Sequence, residues 1–458
     1  MQPGSYTTRI SALRLSRVHL FVAFAFTVMA DPVSSVAYAI EAALRQLDGD
    51  PESLFAAMAL VVAIIFVISA TYHQLIGRFP TGGGGPKGIA AAFGEGWAFV
   101  PLGALLVDFT LTVAVSCAAG AAAVIAYLPE LSSARVPLAL ALTAVVAAGV
   151  LVGHRGRVGF AIATQAFLLL ALAVVVAGAF AEPVAGSQAA RASSPPLLAD
   201  AAFVPVLLAL PLGMALATGV EAPSDAIAQL PQLRDRGRRV FGRLTLWLMV
   251  AIVGSLTLAL AALAVSLGIA LPDEDSTLLA EVARQATGGG AVFGGFQAAS
   301  ALLLLAAAAS SYLAGSGVLK ALALLGASGD GLLPERFGRV NRFLVPHWGV
   351  AAVLLAAASL VLAARGEEQE LVQFYAVSVF ASFLAATVGC ARLSHRDGRT
   401  IATGLNLLGA LLVALVLGLN LTRLDSVIAL SASALVALYL WRAWVARGRP
   451  GGLIEAVG

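Results

Sequence analysis

The sequence predicts an all-α membrane protein of about twelve transmembrane helices in two related halves, and three observations carry that expectation. First, 60% of the 458 residues are hydrophobic and only 12% are charged, with a mean hydropathy of +0.93. Those values lie far from the composition of a soluble globular chain. Second, the apolar residues fall into runs of about 20, the length needed to cross a hydrocarbon core roughly 30 Å thick. Third, two of those runs are interrupted at matching places by proline, small hydroxyl residues and an acid.

Taken in order, the runs place helices at 18–47, 53–76, 97–128, 136–153, 158–182, 203–230, 244–271, 292–325, 347–364, 371–391, 400–421 and 425–446. The first has an Arg-bearing front like that of a signal peptide, yet apolar helix resumes directly after Asp31-Pro32, so it is read as retained. Residues 1–17 and 447–458 are expected to be cytoplasmic tails.

Charge orients the array. With the N-terminus in the cytoplasm, the run Arg234, Arg236, Arg238, Arg239 and Arg243, and the later Arg392, Arg396 and Arg399, all fall inside. The opposite loops carry Asp48, Asp50 and Glu52, then Asp273, Glu274 and Asp275, then Glu367, Glu368 and Glu370. That asymmetry satisfies the positive-inside rule for a multi-pass protein of a cell inner membrane with both termini cytoplasmic. The net charge of +3 is therefore a topology signal, and no nucleic-acid partner is expected.

Three carboxylates at membrane depth, Asp31, Asp108 and Glu221, form the candidate site. A charge there costs on the order of 2.5–3.5 kcal/mol by insertion scales, so such residues line interior pathways and have partners. In DPVSS at 31–35, Pro32 lacks a backbone donor and Ser34 and Ser35 offer local hydrogen bonds, so the first helix is expected to open. In ATGVEAPS at 217–224, Gly219 and Pro223 do the same for the sixth. Interrupted helices at corresponding positions of two halves mark the midplane site of inverted-repeat transporters.

Helical spacing extends the site. Asp108, Thr112 and Ser116 are four apart and share one face, while Thr218 and Glu221, three apart, face together. Asp31 and Tyr38, seven apart, share a face if the first helix resumes promptly after its break. Carboxylate, hydroxyl and carbonyl oxygens are the ligands that hard cations favour.

The runs DPVSSVAY (31–38), FPTGGGGPKG (79–88), LLVDFTLTVAVS (105–116), TGVEAPS (218–224), GDGLLPERFGRVN (329–341) and FYAVSVFASF (374–383) resemble the amino acid, polyamine and organocation superfamily. Within it they are most similar to the KUP-type potassium permeases of the KimA-like branch. The resemblance implies a LeuT-like fold: a ten-helix transport core at 18–391, two inverted five-helix repeats with broken helices 1 and 6, plus two peripheral helices at 400–446. It also implies import of K⁺ with H⁺ by alternating access. The potassium-lining positions carried over are Asp31, Tyr38, Asp108, Thr112, Ser116, Thr218, Glu221 and Tyr375, all of the family's residue type. That branch carries a cytosolic domain after the last helix, whereas this chain ends about a dozen residues beyond Trp444. The departure counts against dimerisation or nucleotide-type regulation through such a domain.

Other readings are weaker. TGGGGPKG has Pro86 where a phosphate-binding loop needs Gly and Gly88 where it needs Ser or Thr, so it is read as a re-entrant turn with Lys87 facing the inner surface. The histidines lack metal-ligand spacing, and Cys117 and Cys390 sit in apolar helices as packing residues. No HExxH motif occurs, and no His, Cys or Lys lies near the three acids, so a membrane enzyme is not expected and neither is a cofactor. The chief rival is an amino acid or polyamine permease. Such carriers hold the substrate carboxylate with a glycine-rich break in helix 1; here that break lacks glycine and brings Asp31 instead. One acid must hold a proton while the others bind the ion, because three ionised carboxylates in one dry cavity repel strongly. Glu221 is the candidate for that proton, since it follows a break within an apolar stretch.

Overall fold

A computed structural model describes residues 17–153, 157–185, 187, 203–325 and 331–453, and every regular element among them is helical. Of the expected tails, 1–17 and 447–458, residues 1–16 and 454–458 lie outside the described residues. Among the described residues ten helices are long and apolar enough to cross a membrane, and Arg17–Val28 and His347–Ala363 are shorter apolar helices.

The first run folds as α1 (Arg17–Val28), α2 (Ala30–Ser34) and α3 (Val36–Gln46), interrupted at Met29 and Ser35. Next come α4 (Pro51–Arg78) and α5 (Gly84–Phe93), then α6 (Phe99–Tyr127), α7 (Arg135–Leu151) and α8 (Arg157–Gly178). The sixth run divides into α9 (Phe203–Gly213), a tight turn at Met214–Ala217, an unwound stretch and α10 (Ala222–Ala226). Then follow α11 (Asp235–Leu267), α12 (Leu278–Thr287), α13 (Ala291–Ala323), α14 (His347–Ala363), α15 (Glu368–Arg396), α16 (Thr400–Asn420) and α17 (Leu424–Ala446).

Several boundaries depart from the sequence reading for local reasons. α11 starts at Asp235, so the arginine-rich run read as a loop is its first turns, with Asp235 complementing the helix N-terminus. α12 lies in what reads as an outer loop. Thr277 caps its start by accepting from Ala280 N at 3.2 Å, and Gly288 ends it at φ +70°. The glycine-rich 82–88 stretch forms a turn, with Gly82 and Gly83 at φ +90° and +79°, and then enters α5. Lys87 is only 6% exposed, which corrects its expected place at the inner surface.

α6 and α15 run through the middle of the bundle. α6 packs against α13, α15 and α17, and α15 packs against α5, α6 and α16. Such close approach needs small residues. A Cβ on Gly103 of α6 would lie 2.6 Å from the Ser433 carbonyl of α17. α16 joins the bundle through polar bonds: Asn406 accepts from Thr71 Oγ1 at 2.7 Å and donates to Gln74 Oε1 at 3.0 Å. Most of the outward surface of α16 and α17 is apolar and exposed, including Ile401, Leu411, Leu424 and Leu435.

Candidate functional site

The two interrupted runs cross, and the crossing is made by backbone. Gly219, at φ +83°, lies against Pro32: a Cβ there would come within 2.6 Å of the proline Cδ. Ser35 Oγ donates to the Pro32 carbonyl at 2.7 Å and reaches the Leu216 carbonyl at 3.5 Å. The breaks differ in depth. In the first run Met29 and Ser35 keep right-handed helical angles, so the chain bends without unwinding, a correction to the expected opening. In the sixth, Thr218 is extended at φ −60° and ψ 139°, Gly219 turns to positive φ, and the helix is truly lost.

From this crossing the side chains converge on α6 and α15. Asp31 is presented by α2 and Glu221 stands at the start of α10. Asp108 is buried on α6, close enough to feel the charges of both. Thr112, one turn along α6, donates to the Asp108 carbonyl at 2.9 Å and shares a 3.0 Å hydrogen bond with the Tyr375 hydroxyl of α15. Tyr375 meets Tyr38 of α3 edge to face, with ring centroids 6.1 Å apart at 72°. Such a pair contributes about 0.5–1.5 kcal/mol beyond its buried area. The Tyr38 hydroxyl approaches Thr218 and Tyr375 without a hydrogen bond of regular geometry to either. Thr218 Oγ1 donates to the Ala215 carbonyl at 2.8 Å. Ser116, fully buried, follows one turn beyond Thr112.

The structure thus gathers Asp31, Tyr38, Asp108, Thr112, Thr218, Glu221 and Tyr375 around one crossing, with Ser116 next along α6. Five of these side chains have unmet bonding capacity, as do others elsewhere among the described residues, Ser69, Thr245 and Ser311 included. Asp31 Oδ1, Tyr38 OH, Asp108 Oδ1, Ser116 Oγ and Glu221 Oε2 are all buried with no hydrogen-bond partner among the described residues. Buried polar atoms are nearly always paired, so five oxygens left over in one region point to a ligand that takes oxygen donors. Among the described residues no group of three or more His, Cys, Asp and Glu side chains is arranged to hold a metal ion.

Sequence reasoning missed three neighbours of this group. Ser378, one turn past Tyr375, lies close enough to act on the Asp108 carboxyl. Tyr72 of α4 points a buried, unpartnered hydroxyl into the field of Glu221 and Asp225. Asp225 sits four residues after Glu221, a helical spacing visible in the sequence. Nor are the acids of these runs three. Glu41, in the first run, is fully buried; it accepts from Arg45 Nε at 2.9 Å and from the Leu278 amide at 2.8 Å, which ties α3 to α12.

A family model described as amino acid permease matches residues 20–442. Over 367 residues the chain is 28% identical to the potassium transporter KimA of Bacillus subtilis (strain 168). That match takes in 78% of this chain and 59% of KimA, so the chain spans less than two thirds of that relative's length.

Proposed function

The chain belongs to the amino acid permease family of the amino acid, polyamine and organocation superfamily, a multi-pass secondary transporter and not an enzyme, and we propose that its cargo is a monovalent cation, K⁺ favoured, carried with H⁺. The observation that carries this reading is the set of five buried oxygens without partners at the crossing of the two breaks. An amino acid would bring its carboxylate toward Asp31, Asp108 and Glu221, whose charges already oppose one another. A dehydrated K⁺ takes only oxygen ligands, and the site offers carboxyl and hydroxyl oxygens alone. The similarity to a potassium transporter supports the same cargo.

In this reading Asp31, Tyr38, Asp108, Thr112, Ser116, Thr218, Glu221 and Tyr375 bind the ion. Glu221 carries the proton, because a protonated carboxyl lowers the repulsion among three acids while two remain to neutralise the cation. Ion and proton together reduce the three negative charges of the acids to one, and the two halves then rock about the site by alternating access. The fold that supports this motion is LeuT-like: residues 18–391 form two inverted five-helix repeats, and α16 and α17 stand outside them. The arginine-rich start of α11 and the Arg392–Arg399 segment face the cytoplasm, together with both termini, in a cell inner membrane.

Growth of a bacterium lacking its own potassium uptake, at limiting K⁺, tests the cargo. The protein is expected to restore growth, and Asp108→Asn, which keeps the side chain's size and loses its charge, is expected to abolish the rescue at equal expression. Rescue by Asp108→Asn as strong as by the parent contradicts a cation site. The second reading, an amino acid or polyamine permease, is favoured by the description of the matching family. Saturable uptake of an amine or amino acid, with no Rb⁺ entry in the same vesicles, establishes it instead.

A further inference from the structure

α5 packs against α4, α6 and α15. Its N-cap, Gly83, has no side chain to satisfy the first amides of the helix, and a residue from elsewhere in the chain does so: Gly84 N donates to Asp225 Oδ1 at 3.1 Å. Ser224 Oγ donates to the same oxygen at 3.2 Å. The contact is made possible by glycine, since a Cβ on Gly84 would stand 2.2 Å from Ser224 Oγ. α5 is equally close to α15, where a Cβ on Gly389 would come within 2.9 Å of the backbone of Gly88 and Ile89. Beneath it, 3.5 Å and 3.8 Å from where a Gly85 Cβ would sit, are the Tyr72 hydroxyl and Ser382 Oγ.

Charge accompanies this packing. Lys87 stands in the first turn of α5, the end of a helix where a cation is unfavourable, and it is buried. Its Nζ donates to Thr81 Oγ1 at 3.3 Å, and its ammonium lies near enough to act on the Asp225 carboxyl. Asp225 is in turn one helical turn from Glu221, with the two carboxyls in each other's field. A chain of neighbours thus runs from a site acid, through a second acid, to α5.

We propose that Asp225 is a positioning residue for transport: by capping α5 and offsetting Lys87 it holds α5 against Tyr72, Ser382 and α15, and the charge on Glu221 acts on this hold. The cargo that this hold serves rests on the cation reading; the hold itself does not. Removing one of two opposite buried charges costs more than removing both. Asp225→Asn and Lys87→Met should therefore each loosen α5, and the double variant should reseat it.

The test uses the full chain with Cys117 and Cys390, both buried and free, replaced by Ala, and Ser382→Cys as a reporter beneath α5. In membranes, thiol labelling of that reporter should accelerate roughly tenfold in Asp225→Asn and in Lys87→Met, and fall back to within about threefold of the parent in the double variant. The purified Asp225→Asn protein should bind Rb⁺ within about twofold of the parent while proton-driven Rb⁺ accumulation is lost, a split between binding and transport. Asp225→Glu, which keeps the carboxylate, should label at an intermediate rate and recover part of the accumulation. It serves as the single variant if Asp225→Asn does not fold. Unchanged labelling in the single variants, or a double variant labelled faster than either, overturns the proposal. So does a tenfold loss of Rb⁺ affinity with unchanged labelling, which would make Asp225 an ion ligand. If the parent itself neither binds nor moves Rb⁺, the cation reading fails, and the labelling comparison still decides the role of Asp225.

Discussion

The two interrupted helices carry similar punctuation in sequence and respond to it differently. In the first, Pro32 removes one backbone donor, and the Ser34 and Ser35 hydroxyls return to the Asp31 and Pro32 carbonyls at 2.7 Å each. The backbone therefore bends with its angles still helical. In the sixth, Gly219 supplies the one residue that enters positive φ without a steric penalty, and the chain unwinds from Thr218. Proline with serine makes a kink; glycine makes a gap. The difference assigns distinct work to each half: the first run projects Asp31 and Tyr38 from rigid helix, and the sixth folds its gap onto Pro32 and brings Glu221 to the same place.

Gly219→Ala attacks the gap and is expected to have the largest effect. The new Cβ meets Pro32 at 2.6 Å and its backbone is held at φ +83°, strain on the order of 1–3 kcal/mol before any clash is counted. Proton-driven Rb⁺ uptake should fall below detection, or the folded yield in membranes should collapse. Uptake within twofold of the parent would show that the unwound geometry is not needed.

Pro32→Ala attacks the kink and should be milder. It restores a backbone donor to a helix that is already nearly continuous, so the protein should fold as well as the parent in detergent melting. It also takes the ring from beneath Gly219, so half-saturating Rb⁺ should rise several-fold. An effect equal to that of Gly219→Ala would erase the contrast between the two breaks.

Smaller effects are expected where a neutral ligand is removed. Tyr375→Phe loses the hydrogen bond to Thr112, and Thr218→Ala loses a hydroxyl beside Tyr38. At about 0.5–1.5 kcal/mol per hydrogen bond, each should raise the half-saturating Rb⁺ concentration roughly two- to tenfold at unchanged maximal rate. A lowered maximal rate with unchanged half-saturation would place these hydroxyls in the moving parts instead.

What could be read from sequence follows the reach of local rules. The shared face of Asp108, Thr112 and Ser116 is an i, i+4 pattern, and α6 keeps it. The positions of both breaks were legible because proline and glycine act on their own backbone. The depth of each break was not, since it depends on whether a glycine reaches positive φ and on what it then touches. The Gly219–Pro32 crossing, the Thr112–Tyr375 bond and the Asp225 cap on α5 join distant parts of the chain, and no spacing rule reaches that far. Lys87 shows the same limit: a lysine beside glycines reads as a surface residue until a partner acid from another helix is seen. Local pattern likewise passed over α12, whose cap at Thr277 marks a helix too short and too polar to register as a span.

The central claim is that the oxygens gathered at this crossing bind and move a cation. The most direct measurement is Rb⁺ entry into proteoliposomes of the purified protein, with and without an inward proton gradient, for the parent, Asp108→Asn and Glu221→Gln. The account predicts saturable entry that the gradient accelerates and a protonophore slows. It predicts no entry for Asp108→Asn, and Rb⁺ binding without gradient-driven accumulation for Glu221→Gln. Gradient-accelerated entry that survives Asp108→Asn, or saturable uptake of an amine with no Rb⁺ entry in the same vesicles, would contradict it.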